Sequence, residues 1–157
     1  MDLGEIFSVL EGFDLKNFLP EMDTVLGQAE MIVRVAVLIA PLVLFVLGLW
    51  YLFLPPKEAN HYVGFRTFWG MSSVAAWRFT QKIAGITWGA LGLILFVVML
   101  LVSGGFHGQE MMDMVWSGVT CILWELGLVL VSLLGINVAV IVFYDFNGKP
   151  RDFKKHK

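Results

Sequence analysis

Three long apolar stretches, Met31–Leu54, Ile83–Ser103 and Val115–Tyr144, constrain this chain more than any motif in it. Only Arg34 and Glu125 carry charge inside them. A bilayer core takes about 20 helical residues to cross. Backbone N–H and C=O groups find no water there, so a helix, which satisfies them internally, is the state these segments can adopt. The expected fold is all-α: an integral membrane three-helix bundle with an N-terminal amphipathic helical segment. Apolar residues make up 58% of the 157, above the roughly 45–50% of soluble domains, and the spans leave no length for a separate soluble domain. The layout expected is residues 1–30 outside the cytoplasm, a membrane domain over 31–144 with a loop at 55–82, and a tail over 145–157.

Charge gives that layout a direction. Asp2, Glu5, Glu11, Asp14, Glu21, Asp23 and Glu30 precede the first span against a single base, Lys16. The 55–82 loop carries Lys57, Arg66, Arg78 and Lys82 against Glu58 alone. The short connection before the third span has Glu110 and Asp113 and no base, while the tail has Lys149, Arg151, Lys154, Lys155 and Lys157. Loops rich in Lys and Arg stay cytoplasmic, which predicts the N-terminus outside and the C-terminus inside.

The first 30 residues lack the basic start and continuous apolar run of a signal peptide. Leu15, Phe18, Leu19, Met22, Val25, Leu26 and Ala29 instead recur at helical spacing among acids. That pattern predicts an amphipathic helix near the outer membrane surface, with Pro20 in its first turn or at a break from a shorter helix near Gly4–Leu10. Its acids favour packing on protein over anionic lipid, as a cap on the outer span ends or as a surface for an external ligand.

Within the spans, Gly85 and Gly89 form a G-x-x-x-G spacing that lets two helix backbones approach closely. The partner could be span one, span three or another copy, with packing inside the chain the plainer choice. Pro41 is expected to kink or loosen span one. Asn147-Gly148 before Lys149-Pro150 is a stop signal for span three. Cys121 is expected to be a small packing residue. Glu125 lies about ten residues into span three, where a charge costs a few kcal/mol unless paired or neutralised. Arg34 could reach down to it, snorkel outward, or pair with Glu30 one turn earlier. A protonated, hydrogen-bonded Glu125, or one facing another subunit or ligand, are the other options.

The 55–82 loop carries the most distinctive chemistry. Pro55-Pro56 stops span one, Ser72 or Ser73 can cap a helix running through Trp77 and Arg78, and Gly64 suits a turn of positive φ. Arg66, Arg78 and Lys82 are expected near the lipid headgroups, with Trp77 as an interfacial wedge. The plain reading is topology charge and anchoring. The sharper one is a polar cluster of Asn60, Arg66 and Thr67 that locks the loop or binds an anionic group, for which the Arg fork is well shaped.

The run Asn60-x-x-x-Gly64-x-Arg66-Thr67-x-Trp69-x-Met71-x-Ser73-x-x-Ala76-Trp77-Arg78-Phe79, followed by a span with an early Ala84-Gly85, resembles the SdpI family. The chain departs from the family pattern at Phe68, where members usually carry Pro, and at Ser72–Ala75, where they carry a more acidic stretch. The resemblance implies a multi-pass protein of the bacterial cytoplasmic membrane, related to immunity factors that protect a cell from its own secreted toxic peptide.

No phosphate-cradling glycine loop and no Ser/His/Asp or Cys/His constellation is present, so the chain is expected to be non-catalytic and without cofactor. His61, His107 and His156 fall on both sides of the membrane in this topology and cannot share a metal. No nucleic-acid role is expected, since only the basic tail would serve one. Beyond the lipid bilayer, two kinds of partner stay open. One is a membrane-active secreted peptide, which the chain would block or sense. The other is a larger membrane complex, formed with another membrane protein or a second copy, in which the chain is a structural subunit docked through the G-x-x-x-G face, Glu125 and the N-terminal helix.

Overall fold

The computed structural model describes residues 15–56 and 64–151, with side chains described from residue 24 onward. These residues form three helices: α1 (Leu15–Phe53), α2 (Val74–Gly104) and α3 (Met111–Phe143). Each contains a segment long and apolar enough to cross a membrane, Thr24–Phe53, Val74–Gly104 and Met111–Phe143. The three apolar stretches of the sequence therefore become three spans of an all-helical membrane protein.

The helices outrun the stretches that reveal them. α1 runs unbroken through Pro20 into span one, so from Leu15 onward the amphipathic segment is its first turns and not a separate helix. Its 39 residues, at 1.5 Å rise, reach about 58 Å, well beyond a hydrocarbon core of about 30 Å. The short helix expected near Gly4–Leu10 lies outside the described residues. α2 begins at Val74, nine residues before the apolar stretch, because Ser73 caps it there. The Ser73 hydroxyl accepts from the Ala76 N–H (3.0 Å) and donates to the Gly148 carbonyl (2.7 Å).

Helices in lipid gain nothing from excluding water between them, so their backbones must pack closely. α1 and α2 do this through glycine. A Cβ built on Gly48 would fall 2.1 Å from the Gly89 nitrogen, and one on Gly92 would fall 2.4 Å from the Phe45 nitrogen. Gly85 lies against Leu52 and the Gly48 carbonyl. The G-x-x-x-G pair is thus filled from within the chain, by span one. Pro41 is fully buried on the same seam, with its carbonyl facing Gly92.

α3 packs on one neighbour at each end. Near its start, Gly118 meets Val33, and Met114 and Cys121 pack with Val37 and the tucked-in Phe106. Further along, Ile136 packs with Ala84 and Phe65, and the Trp88 indole N–H donates to the Ser132 hydroxyl at 3.1 Å. The inward positions Met114, Gly118, Cys121, Glu125, Ser132, Ile136 and Val140 form a seam that follows the helical repeat of about 3.6 residues. Most of the remaining α3 side chains are apolar and exposed, as on a lipid-facing surface.

The chain leaves α3 at Tyr144 and turns back at once, with Tyr144 bridging to Pro150. Asp145 holds this turn by accepting from the Asn147 and Lys149 N–H groups, and Gly148 supplies the positive φ of +70°. The stop signal works as a hairpin-like turn seated on Ser72 and Ser73. Ser73→Ala removes both the helix cap and this tie, and is expected to cost about 1–2 kcal/mol. Its check is a lower melting temperature in mild detergent, and an unchanged one would disprove the clasp.

Candidate functional site

Residues 64–73, which lead from the loop into α2, fold back against the bundle. At its centre is Phe65, a buried loop residue packed against Ala84, Ile136, Tyr51 and Trp88. Its ring meets Trp88 edge-on at a centroid distance of 5.1 Å. A buried loop residue exposes backbone groups that must be paired, and Gln81 pairs both. The Phe65 N–H donates to Gln81 Oε1 (2.9 Å), and Gln81 Nε2 donates to the Phe65 carbonyl (2.8 Å). Gln81 is itself fully buried.

Around this latch the residues singled out by sequence take their places. Gly64 has φ +116°, the positive value its turn requires, and a Cβ there would run into the Trp77 ring. Trp77 is completely buried, with its indole N–H donating to the Pro56 carbonyl at 2.9 Å. The expected interfacial wedge is therefore an internal post: the loop folds over the indole and its one donor is used inside. The Thr67 hydroxyl accepts from the Gly70 N–H at 2.8 Å, closing the turn that leads to Ser73. Arg66 is exposed at the loop's edge, within electrostatic range of the Tyr51 hydroxyl. Arg78 is exposed on α2. Asn60 and His61 lie outside the described residues. The polar cluster is thus brought together in part: Thr67 locks the loop, and Arg66 and Arg78 remain at the surface.

Phe65, Gln81 and Trp88 were not singled out from the sequence. The available signal was Gln81, an amide on the same α2 face as Trp77, Ala84, Gly85 and Trp88, a position where an uncharged polar group needs a buried partner.

At the opposite end, Arg34 pairs with Glu30 across one helical turn, and Glu30 also faces His107 at 3.3 Å. This ties α1 to the α2–α3 connection. The Arg34–Glu125 contact does not form, because the nearer acid takes the guanidinium. Glu125 is 2% exposed on the inward seam of α3, and neither carboxyl oxygen has a hydrogen-bond partner. Arg34 Nε is likewise buried without one. Two unmet polar points thus lie in the α1 and α3 portions of the membrane domain. A buried acid without a partner destabilises a fold, so Glu125→Leu is expected to stabilise the isolated protein by about 1–3 kcal/mol. Thermal unfolding in detergent checks this, and a strongly destabilised variant would show that the carboxyl is structurally engaged.

Among the described residues no three His, Cys, Asp or Glu side chains come together as a metal site would need. No curated protein and no solved structure matches the chain. A family model described as the SdpI/YfhL protein family matches residues 57–145, more than half of the sequence. That segment takes in the latched loop, α2, α3 and the start of the closing turn. The chain, a three-span membrane protein whose loop is locked by Gly64, Thr67, Trp77 and Gln81, belongs to the SdpI/YfhL protein family.

Proposed function

We propose that this protein gives its cell immunity to, or senses, a membrane-active secreted peptide. Family membership over residues 57–145 carries the reading. The unmet carboxyl of Glu125 adds to it, since a peptide entering the membrane could supply the donor the bundle lacks. In this reading the protein sits in the bacterial cytoplasmic membrane, with the N-terminus outside and the closing turn in the cytoplasm, following the distribution of Lys and Arg.

The test is expression in a peptide-sensitive bacterium, followed by challenge with secreted peptides from the native host. Survival of expressing cells is the expected result. Arg66→Ala, a surface change that leaves the Gln81 latch in place, is expected to abolish protection at an unchanged protein level. Trp77→Ala is also expected to lose protection, by releasing the loop. Full protection by a well-expressed Arg66→Ala variant would remove Arg66 from the function.

A second reading, a non-catalytic subunit of a larger membrane complex, is favoured by the same Glu125 observation. The G-x-x-x-G face cannot serve it, because α1 already occupies that face. Purification from the native host in mild detergent separates the readings. A stoichiometric membrane partner supports the subunit; a lone monomer or homo-oligomer supports immunity or sensing.

A further inference from the structure

A groove of about 370 Å³ opens where α1 ends and α2 begins, lined by Tyr51, Leu52, Pro55, Pro56, Arg78 and Lys82. Among the described residues its walls are mostly apolar, and the charged groups that line it are the two cations. Arg78 and Lys82 stand one helical turn apart on α2, a spacing at which like charges repel. Both are exposed, and neither makes an ion pair or hydrogen bond with another described residue. The groove is also preformed, because the Trp77 indole holds the Pro56 carbonyl and fixes the proline wall against α2.

The surface beyond the groove completes the picture. Continuing along the same face of α2, Arg78 and Lys82 are followed by Ile86, Ala90, Leu93 and Val97, all exposed. One helix face therefore presents two adjacent cations and then an uninterrupted apolar run toward the membrane interior. The double-proline stop of span one puts the cations at the level where headgroups lie. We propose that this groove is a binding site for one anionic glycerophospholipid of the surrounding membrane. Its phosphate diester sits between the Arg78 guanidinium and the Lys82 ammonium, and its acyl chains lie along Ile86 and Leu93. Arg supplies a forked donor to phosphate oxygens and Lys a point charge. Basic pockets between spans are the usual protein complement to such headgroups.

The test uses the full chain, purified in a non-ionic detergent, stripped of lipid and titrated with phosphatidylglycerol or phosphatidylcholine under native mass spectrometry. One phosphatidylglycerol per chain is expected, bound at least tenfold more tightly than phosphatidylcholine. Arg78→Gln with Lys82→Gln is expected to weaken it about 20-fold, and either change alone about fivefold. The single variants carry the test if the double variant fails to fold. Lys149→Gln with Arg151→Gln removes two cations at the same end of the bundle and is expected to leave binding unchanged. Equal binding of the two lipids, unchanged binding in the groove variants, or equal loss in the Lys149/Arg151 variant would each overturn the site. Displacement of the lipid by millimolar inorganic phosphate would assign the cations to free phosphate and overturn the membrane source.

Discussion

Replacing Gly48 with alanine is expected to break the contact between the first two spans. The added Cβ would sit 2.1 Å from the Gly89 nitrogen and 2.5 Å from its Cα. Both are backbone atoms of a packed helix and cannot rotate away, so the helices must separate along their length. Overpacking costs typically 1–3 kcal/mol, and a clash with backbone on a seam held by close approach belongs at or above the top of that range, about 3 kcal/mol or more. Gly92→Ala should follow closely, since its Cβ meets the Phe45 nitrogen and Cα. Gly89→Ala should be mild, because the nearest Gly48 atom is 3.9 Å from the new carbon. Gly135→Ala, with nothing within 4 Å, serves as the neutral control. Melting temperatures and yields of folded protein in mild detergent give the order, and a Gly89 variant worse than the Gly48 variant would refute this seam.

The second large effect is expected at Gln81. Gln81→Met keeps the length of the side chain but strands the Phe65 N–H and carbonyl in a buried site. Each unsatisfied buried group costs about 1–3 kcal/mol, so for the two groups roughly 2–6 kcal/mol is at stake. The loop should loosen before the spans separate, because the glycine seam lies elsewhere. Limited proteolysis within residues 64–73 should therefore speed up sharply while the helical content holds at low temperature. A variant that resists both heat and protease like the wild type would show that the latch is not needed.

Much of this architecture is local and was therefore legible in the sequence. Span number follows from apolar length, the Ser73 cap from a hydroxyl placed before a helix, and the Gly64 turn from glycine's tolerance of positive φ. Helix limits were harder. Arg78, Gln81 and Lys82 depress the hydropathy of a segment that is nonetheless helical, so α2 begins well before its apolar stretch. Trp77 shows a deeper limit. Its composition and position match an interfacial anchor, and only the fold-back of the preceding loop, through Pro56 and Gly64, makes it internal. Phe65 and Gln81 are 16 residues apart, on different elements, and no periodicity links them. Glu125 was visible as an anomaly, but its lack of a partner within the bundle was not. Whether Arg34 reached it depended on whether Glu30 captured the guanidinium first.

The closing turn after α3 has a temporal meaning. The glycine seam joins the first two spans, so a growing chain can shut that hairpin as soon as both have entered the membrane. The first turn of α2 then still lacks one of its ties, because the carbonyl that Ser73 addresses belongs to Gly148, 75 residues downstream. Only when synthesis has passed the third span does that carbonyl arrive. The clasp is thus among the last contacts a growing chain can make: until Gly148 has been added, the first two spans form a shut hairpin whose α2 start lacks this tie.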